Sequence, residues 1–115
     1  MEAKAVSRYN MISARKARLV ADLVRGKGVE EAVHILTLTP KKAAPMVSKT
    51  ILSAVANARQ TEAAGMADED FVVSEIRIDE GPTQKRIRAR AQGRAFRIRK
   101  RSSHISVTVS TKEGE

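Results

Sequence analysis

Between Gly81 and Arg101 the chain places nine Lys or Arg residues and no Asp or Glu. They are Lys85, Arg86, Arg88, Arg90, Arg94, Arg97, Arg99, Lys100 and Arg101. The 115-residue chain holds 22 basic and 13 acidic residues, a formal net charge of +9. Removing the segment leaves 13 of each sign, so the whole net charge is confined to it. Like charges at that density repel one another, stay out of any core, and call for a polyanion to offset them. Seven of the nine are arginine, whose planar fork grips phosphate oxygens with two donors and whose plane stacks on bases. Nucleic acid is therefore the first partner class to consider. The bland alternative is a solvated face or tail, and the interleaved Ile87, Phe96 and Ile98 argue against it.

Length fits one domain, 1–115, with 81–101 as an extended arm. Hydrophobic residues make up 42 % of the chain but aromatics only 3 %, so the core must be aliphatic. There is no cysteine, which rules out a disulfide framework and any thiolate metal site. No apolar run approaches the ~20 residues of a membrane span. Met1-Glu2-Ala3-Lys4 has no apolar stretch of the kind a signal peptide carries, so neither membrane nor export is expected.

Residues 1–10 read weakly as a strand. Ser13 is a plausible N-cap for a helix to about Arg25, with Ala17, Leu19, Val20, Leu23 and Val24 apolar and Gly26 as its stop. Arg15, Lys16 and Arg18 fall near the positive end of that helix, where cations are unfavourable unless an external phosphate reverses the sign. Val29 to about Leu38 is a second helix, with Glu30 and Glu31 in its first turn. Lys41 to about Ala64 is the longest helical pattern, its stripe Val47, Ile51, Ala54, Val55 and Ala58, its stop Gly65. Pro45 has to lie in its first turn or kink it. Met66 to Asp70 reads as an acidic loop. Phe71 to Glu80 reads as a strand with Val72, Ser74, Ile76 and Ile78 on one face. His104 to Ser110 reads as another, with Ile105, Val107 and Val109 inward and Ser106, Thr108 and Ser110 outward. The expected fold is α+β: three helices packed on a small three-stranded antiparallel sheet, with a long protruding basic β-hairpin.

With a strand on either side, the cationic segment is expected to form that hairpin. A turn at Gln92-Gly93-Arg94-Ala95 would set Arg90 opposite Arg97, Arg88 opposite Arg99 and Arg86 opposite Arg101. All six arginines would then coat one face. A slip of one residue would undo that arrangement. Arms of roughly 10 residues at about 3.3 Å each would project ~30 Å.

Catalytic chemistry has little footing. His34 and His104 have no companion motif, and His104 is expected to serve packing or hydrogen bonding. Asp68, Glu69 and Asp70 would suit a metal-dependent nuclease, but an acidic turn explains them. Asp79 and Glu80 are adjacent in a strand and point to opposite faces. Gly26-Lys27-Gly28 is too short to cradle phosphates as a P-loop does. No enzyme activity, cofactor, metal or small-molecule substrate is implied. DNA binding remains open, through a helix-turn-helix over Ser13–Leu38 or an architectural β-ribbon.

Several stretches carry a resemblance: Asp79-Glu80-Gly81-Pro82, Lys85-Arg86-Ile87, Arg90-Ala91-Gln92-Gly93-Arg94-Ala95 and Lys100-Arg101-Ser102-Ser103-His104-Ile105. Upstream stand Ile12-Ser13-Ala14-Arg15-Lys16-Ala17-Arg18-Leu19-Val20, Arg25-Gly26-Lys27 and Ser53-Ala54-Val55-Ala56-Asn57-Ala58. In this order, over nearly the full length, they resemble bacterial large-subunit ribosomal protein twenty-two. The resemblance implies a structural role in the large subunit, cytoplasmic and ribosomal, with 23S rRNA, neighbouring large-subunit proteins and the nascent peptide as partners. It implies early assembly and contacts to several rRNA domains. The hairpin would thread rRNA through Lys85, Arg86, Arg90, Gly93, Arg94, Lys100 and Arg101, with its tip, Ala89 to Arg94 (Ala89, Arg90, Ala91, Gln92, Gly93, Arg94), at the exit-tunnel wall. Ala89 stands where that family often has proline, Phe96 where it often has aspartate, and Ala14 where a helix-opening proline is frequent. Pro45 is unusual in its long helix.

Overall fold

A computed structural model of the chain describes residues 2–60, 70–82, 84–89 and 95–111. The chain runs β1 (Glu2–Asn10), α1 (Ala14–Val24), α2 (Val29–Leu38), α3 (Ala43–Arg59), β2 (Phe71–Glu80), β3 (Gln84–Ala89), β4 (Ala95–Lys100) and β5 (Ser103–Thr111). The expected α+β architecture is present. β1, β5 and β2 form an antiparallel sheet in that order, and β3 pairs with β4 in a separate two-stranded ribbon.

Local chemistry fixes the helices. Ser13 caps α1, its hydroxyl accepting the Lys16 N–H. Ala17, Val20, Ala21 and Val24 recur at helical spacing and are buried. Gly26 then takes φ +80°, which an L side chain rarely adopts. α2 begins with Glu30 and Glu31 in its first turn, where carboxylates suit the helix dipole. Pro45 is the third residue of α3, so its missing N–H costs no intrahelical bond. The pattern expected to run to Ala64 ends at Arg59, just after Ala58, the last buried residue of the stripe. Gly65 and most of the acidic loop lie outside the described residues.

α3 lies over β1 and β5, with α1 and α2 packed beside it. Val47, Ile51, Val55, Val20, Val24 and Val29 meet Phe71, Val73, Ile105, Val107 and Val109 in one aliphatic core. Each such side chain contributes about 1.5–3 kcal/mol by leaving water. Ala54 and Ala58 are fully buried, and their small size lets α3 approach closely. In β5, Ile105, Val107 and Val109 face inward as expected. Thr108 faces the other way yet is buried, because its strand is central and flanked at that level by Lys4 and Glu75.

β2 departs from simple alternation. Phe71 and Val73 face the core, then Ile76 and Ile78, with a register shift between Val73 and Glu75. One extra residue switches the inward parity, so Val72 and Ser74 do not share a face with Ile76 and Ile78. The Ser74 hydroxyl donates to Thr108 O at 3.0 Å there.

The radius of gyration is 17.2 Å and the longest extent 64 Å, against about 13 Å for a compact domain of this length. That elongation agrees with a ribbon that pairs only with itself.

Candidate nucleic-acid interface

The ribbon leaves the sheet where β2 hands over to Gly81 and β5 begins. Glu80 pairs with Ser103, and Gly81 N–H donates to Ser102 O at 2.9 Å. The Ser102 hydroxyl closes the root by donating to Pro82 O at 2.7 Å. Beyond it, Gln84 faces Lys100, Lys85 faces Arg99, Arg86 faces Ile98, Ile87 faces Arg97, Arg88 faces Phe96 and Ala89 faces Ala95.

This register corrects the single-face arrangement. It is offset by an odd number of residues from the expected pairing, which reverses parity between the strands. The pairs Arg86 with Arg101, Arg88 with Arg99 and Arg90 with Arg97, on which the one-face arrangement rested, are therefore not those of the ribbon's described register. The strands are six residues each, about 20 Å, shorter than the expected arms. Arg90, Ala91, Gln92, Gly93 and Arg94 lie outside the described residues; Ala89 is the last residue of β3. Ala95, expected in the turn, opens β4.

The α1 cations gather at the same end of the sheet. Arg18 donates to Ile78 O and Arg25 to Ile76 O, each at 3.0 Å, so α1 runs antiparallel to β2 with its first turn toward the ribbon root. Arg15 and Lys16, in that turn, are exposed. Arg25 also pairs with Asp22. Gly26 N–H donates to Val73 O, and Val73 N–H donates to Lys27 O. The outer edge of β2 is thus covered by a turn and two guanidinium groups. Arg18 is partly structural, with one nitrogen committed to the sheet. Arg101, at the root, is exposed.

β1 ends at Asn10, as the reading of residues 1–10 as a strand expects, but the turn at Tyr9 inside that end had no sequence expectation. Tyr9 takes φ +57°, a left-handed conformation that costs a bulky residue on the order of 1–3 kcal/mol. Four hydrogen bonds hold the turn. Tyr9 N–H donates to His104 Nδ1 at 3.0 Å. Asn10 donates to Ser7 O at 3.0 Å and Ser103 O at 3.2 Å, and accepts from the Ser7 hydroxyl at 3.0 Å. The Tyr9 and His104 rings meet edge to face, centroids 5.0 Å apart. His104 thus has the packing and hydrogen-bonding role expected of it. Arg8 beside Tyr9 is exposed, and Lys42 Nζ donates to Met11 O. The legible signal was a lone tyrosine beside an arginine in a chain almost without aromatics.

The helix-turn-helix alternative loses ground. Glu30 and Glu31 are exposed at the start of α2 while Val29, Ala32 and Leu36 are buried. A recognition helix so placed would offer carboxylates to phosphate, and its preceding turn is bonded to β2.

The family model described as ribosomal protein L22p/L17e matches residues 5–110. A large ribosomal subunit protein uL22 from Maridesulfovibrio salexigens is 56 % identical over 109 residues, covering 95 % of this chain and 97 % of that protein. Proteins of the same name from Halothermothrix orenii and Desulforamulus reducens are 53 % and 52 % identical, each covering 98 % of both chains.

Proposed function

The chain belongs to the ribosomal protein L22p/L17e family, and from that membership we propose that it is a structural protein of the large ribosomal subunit that binds 23S rRNA. It works in the cytoplasm, on the ribosome, and its role is architectural rather than catalytic. The ribbon inserts between rRNA segments, and Lys85, Arg86, Arg88, Arg97, Arg99 and Lys100 neutralise their phosphates. Arg101, Arg15, Lys16 and the free donors of Arg18 extend the contact over the root. The tip, 89–94 with Arg90 and Arg94, reaches the wall of the nascent-peptide tunnel. Neighbouring large-subunit proteins meet the globular part, and early binding aids subunit assembly.

The observation that carries this reading is the family match over residues 5–110 on a chain whose whole net charge is confined to the segment 81–101, which holds the paired strands β3 and β4. Phosphate contacts dominate over base readout, because the cations outnumber the groups suited to reading base edges. The same contacts let rRNA segments that repel one another pack together.

Co-sedimentation with large subunits at rising salt tests it. If roughly six to nine phosphates are engaged, affinity falls by about 0.7–0.9 log units per contact per log unit of salt. Weak, salt-insensitive association, or equal affinity for random duplex DNA and large-subunit rRNA, would overturn it.

A further inference from the structure

The Tyr9 turn has no task in the contacts assigned above. A glycine would end β1 there without strain. Instead an aromatic residue is held at φ +57° with 63 % of its surface in water. Bulges of this kind re-aim a side chain, and Asn10, bonded to Ser7 and Ser103, clamps this one. His104 fixes the residue twice, by accepting its N–H and by setting its own ring at 89° to the phenol. A perpendicular pair leaves at least one face of the Tyr9 ring uncovered by the imidazole.

Exposed cations stand close by along the backbone: Arg8 precedes Tyr9, and Arg101 lies two residues before Ser103, the partner of Asn10 across the strands. Neither has an ion-pair partner among the described residues. A rigid, open aromatic face beside unpaired guanidinium groups is the chemistry that recognises an unpaired nucleotide, base on ring and phosphate on cation. A protein partner would find Val6 and Met11 exposed nearby, but it would have to supply carboxylates for the cations.

We infer that Tyr9, braced by His104, is a stacking platform for one unpaired RNA base at the ribbon root, with Arg8 and Arg101 taking the adjoining phosphates. This rests on the RNA-binding reading above and adds a base contact to it.

Tyr9 is the chain's one tyrosine, and there is no tryptophan, so intrinsic tyrosine emission reports this site alone. An oligoadenylate of about ten nucleotides should quench it, whereas an abasic ribose-phosphate chain of equal length should not. Read by anisotropy of an end-labelled oligoadenylate, since the variants lack the emitting residue, Tyr9→Leu should weaken binding about 5- to 150-fold and Tyr9→Phe should preserve it. The salt slope should be unchanged in Tyr9→Leu, which removes no phosphate contact, and should fall by about 1 in Arg8→Gln. Tyr9→Gly supplies a second variant: relief of the strained φ should raise its melting temperature while affinity drops as in Tyr9→Leu. Equal quenching by the abasic chain, or full affinity in both Tyr9→Leu and Tyr9→Gly, would overturn the inference. So would normal RNA affinity of Tyr9→Leu with lost co-sedimentation, which would assign Tyr9 to a protein partner. Absence of RNA binding by the unmodified protein would show a different pattern and remove the RNA-binding reading itself.

Discussion

Gly81 lies directly against Ser102: a Cβ placed on Gly81 would come 2.6 Å from the Ser102 hydroxyl oxygen and 3.2 Å from the His104 ring. The position tolerates only glycine while Ser102 keeps its bond to Pro82 O. The residue that follows β2 is therefore tightly packed against the start of β5.

Gly81→Ala should force the Ser102 hydroxyl out of that bond and press on His104. The expected cost is about 1–3 kcal/mol, in the range for overpacked sites. Urea denaturation of Gly81→Ala, Ser102→Ala and the double variant checks it. The double variant should be more stable than the sum of the singles implies, because Ser102→Ala removes the nearest obstruction. Strict additivity would show that the two residues do not compete for one space.

Replacing 84–100 by a short glycine linker should leave the domain folded, since β3 and β4 pair only with each other. Cooperative thermal melting should persist while affinity for large-subunit rRNA collapses. The variant loses eight cations of the segment, Lys85 to Lys100, so its salt slope should shrink toward that of the root contacts alone. Loss of the melting transition would show that the ribbon is part of the folding unit.

Much of this architecture was legible in the sequence because burial enforces it. The limits of α2 and β2 and the capping of α1 by Ser13 follow from periodicity, a capping hydroxyl and glycine stops. The readings failed where no buried face enforces a choice. The ribbon carries alternating cations on both strands, so several registers look alike in sequence, and no core selects among them. In β2 the clue was present but mixed: Phe71 and Val73 have one parity, Ile76 and Ile78 the other, and only an extra residue satisfies both. The left-handed turn at Tyr9 was not legible, because it contains no glycine and is imposed by Asn10, Ser103 and His104, groups that sequence alone does not bring together. Arg18 was recognised as a cation at a helix start, but its bond to Ile78 O depends on α1 lying along β2.

Ser103 is fully buried and its hydroxyl has no hydrogen-bond partner among the described residues. A buried hydroxyl left unpaired carries a desolvation cost of about 1–3 kcal/mol. Ser103→Ala should therefore leave stability unchanged or raise it by about 1 kcal/mol. Clear destabilisation in chemical denaturation would reveal a partner for that oxygen, and the backbone carbonyl that binds Asn10 would be the first place to look.

Arg18 and Arg25 both cover the outer edge of β2, yet only Arg18 lies toward the ribbon root. Arg25→Met should cost about 0.5–1.5 kcal/mol for its bond to Ile76 O and leave rRNA affinity unchanged. Arg18→Met should cost a similar amount and also weaken rRNA binding modestly, because only its remaining donors face outward. Arg15→Gln and Lys16→Gln, with exposed side chains, should behave in the opposite way: little change in stability, and a salt slope reduced by about 1 for each phosphate no longer neutralised. An uncovered edge strand invites pairing with a second chain, so the Arg18→Met/Arg25→Met double variant should also self-associate at high concentration. Light scattering that stays monomeric would mean that the Gly26–Lys27 turn alone protects the edge.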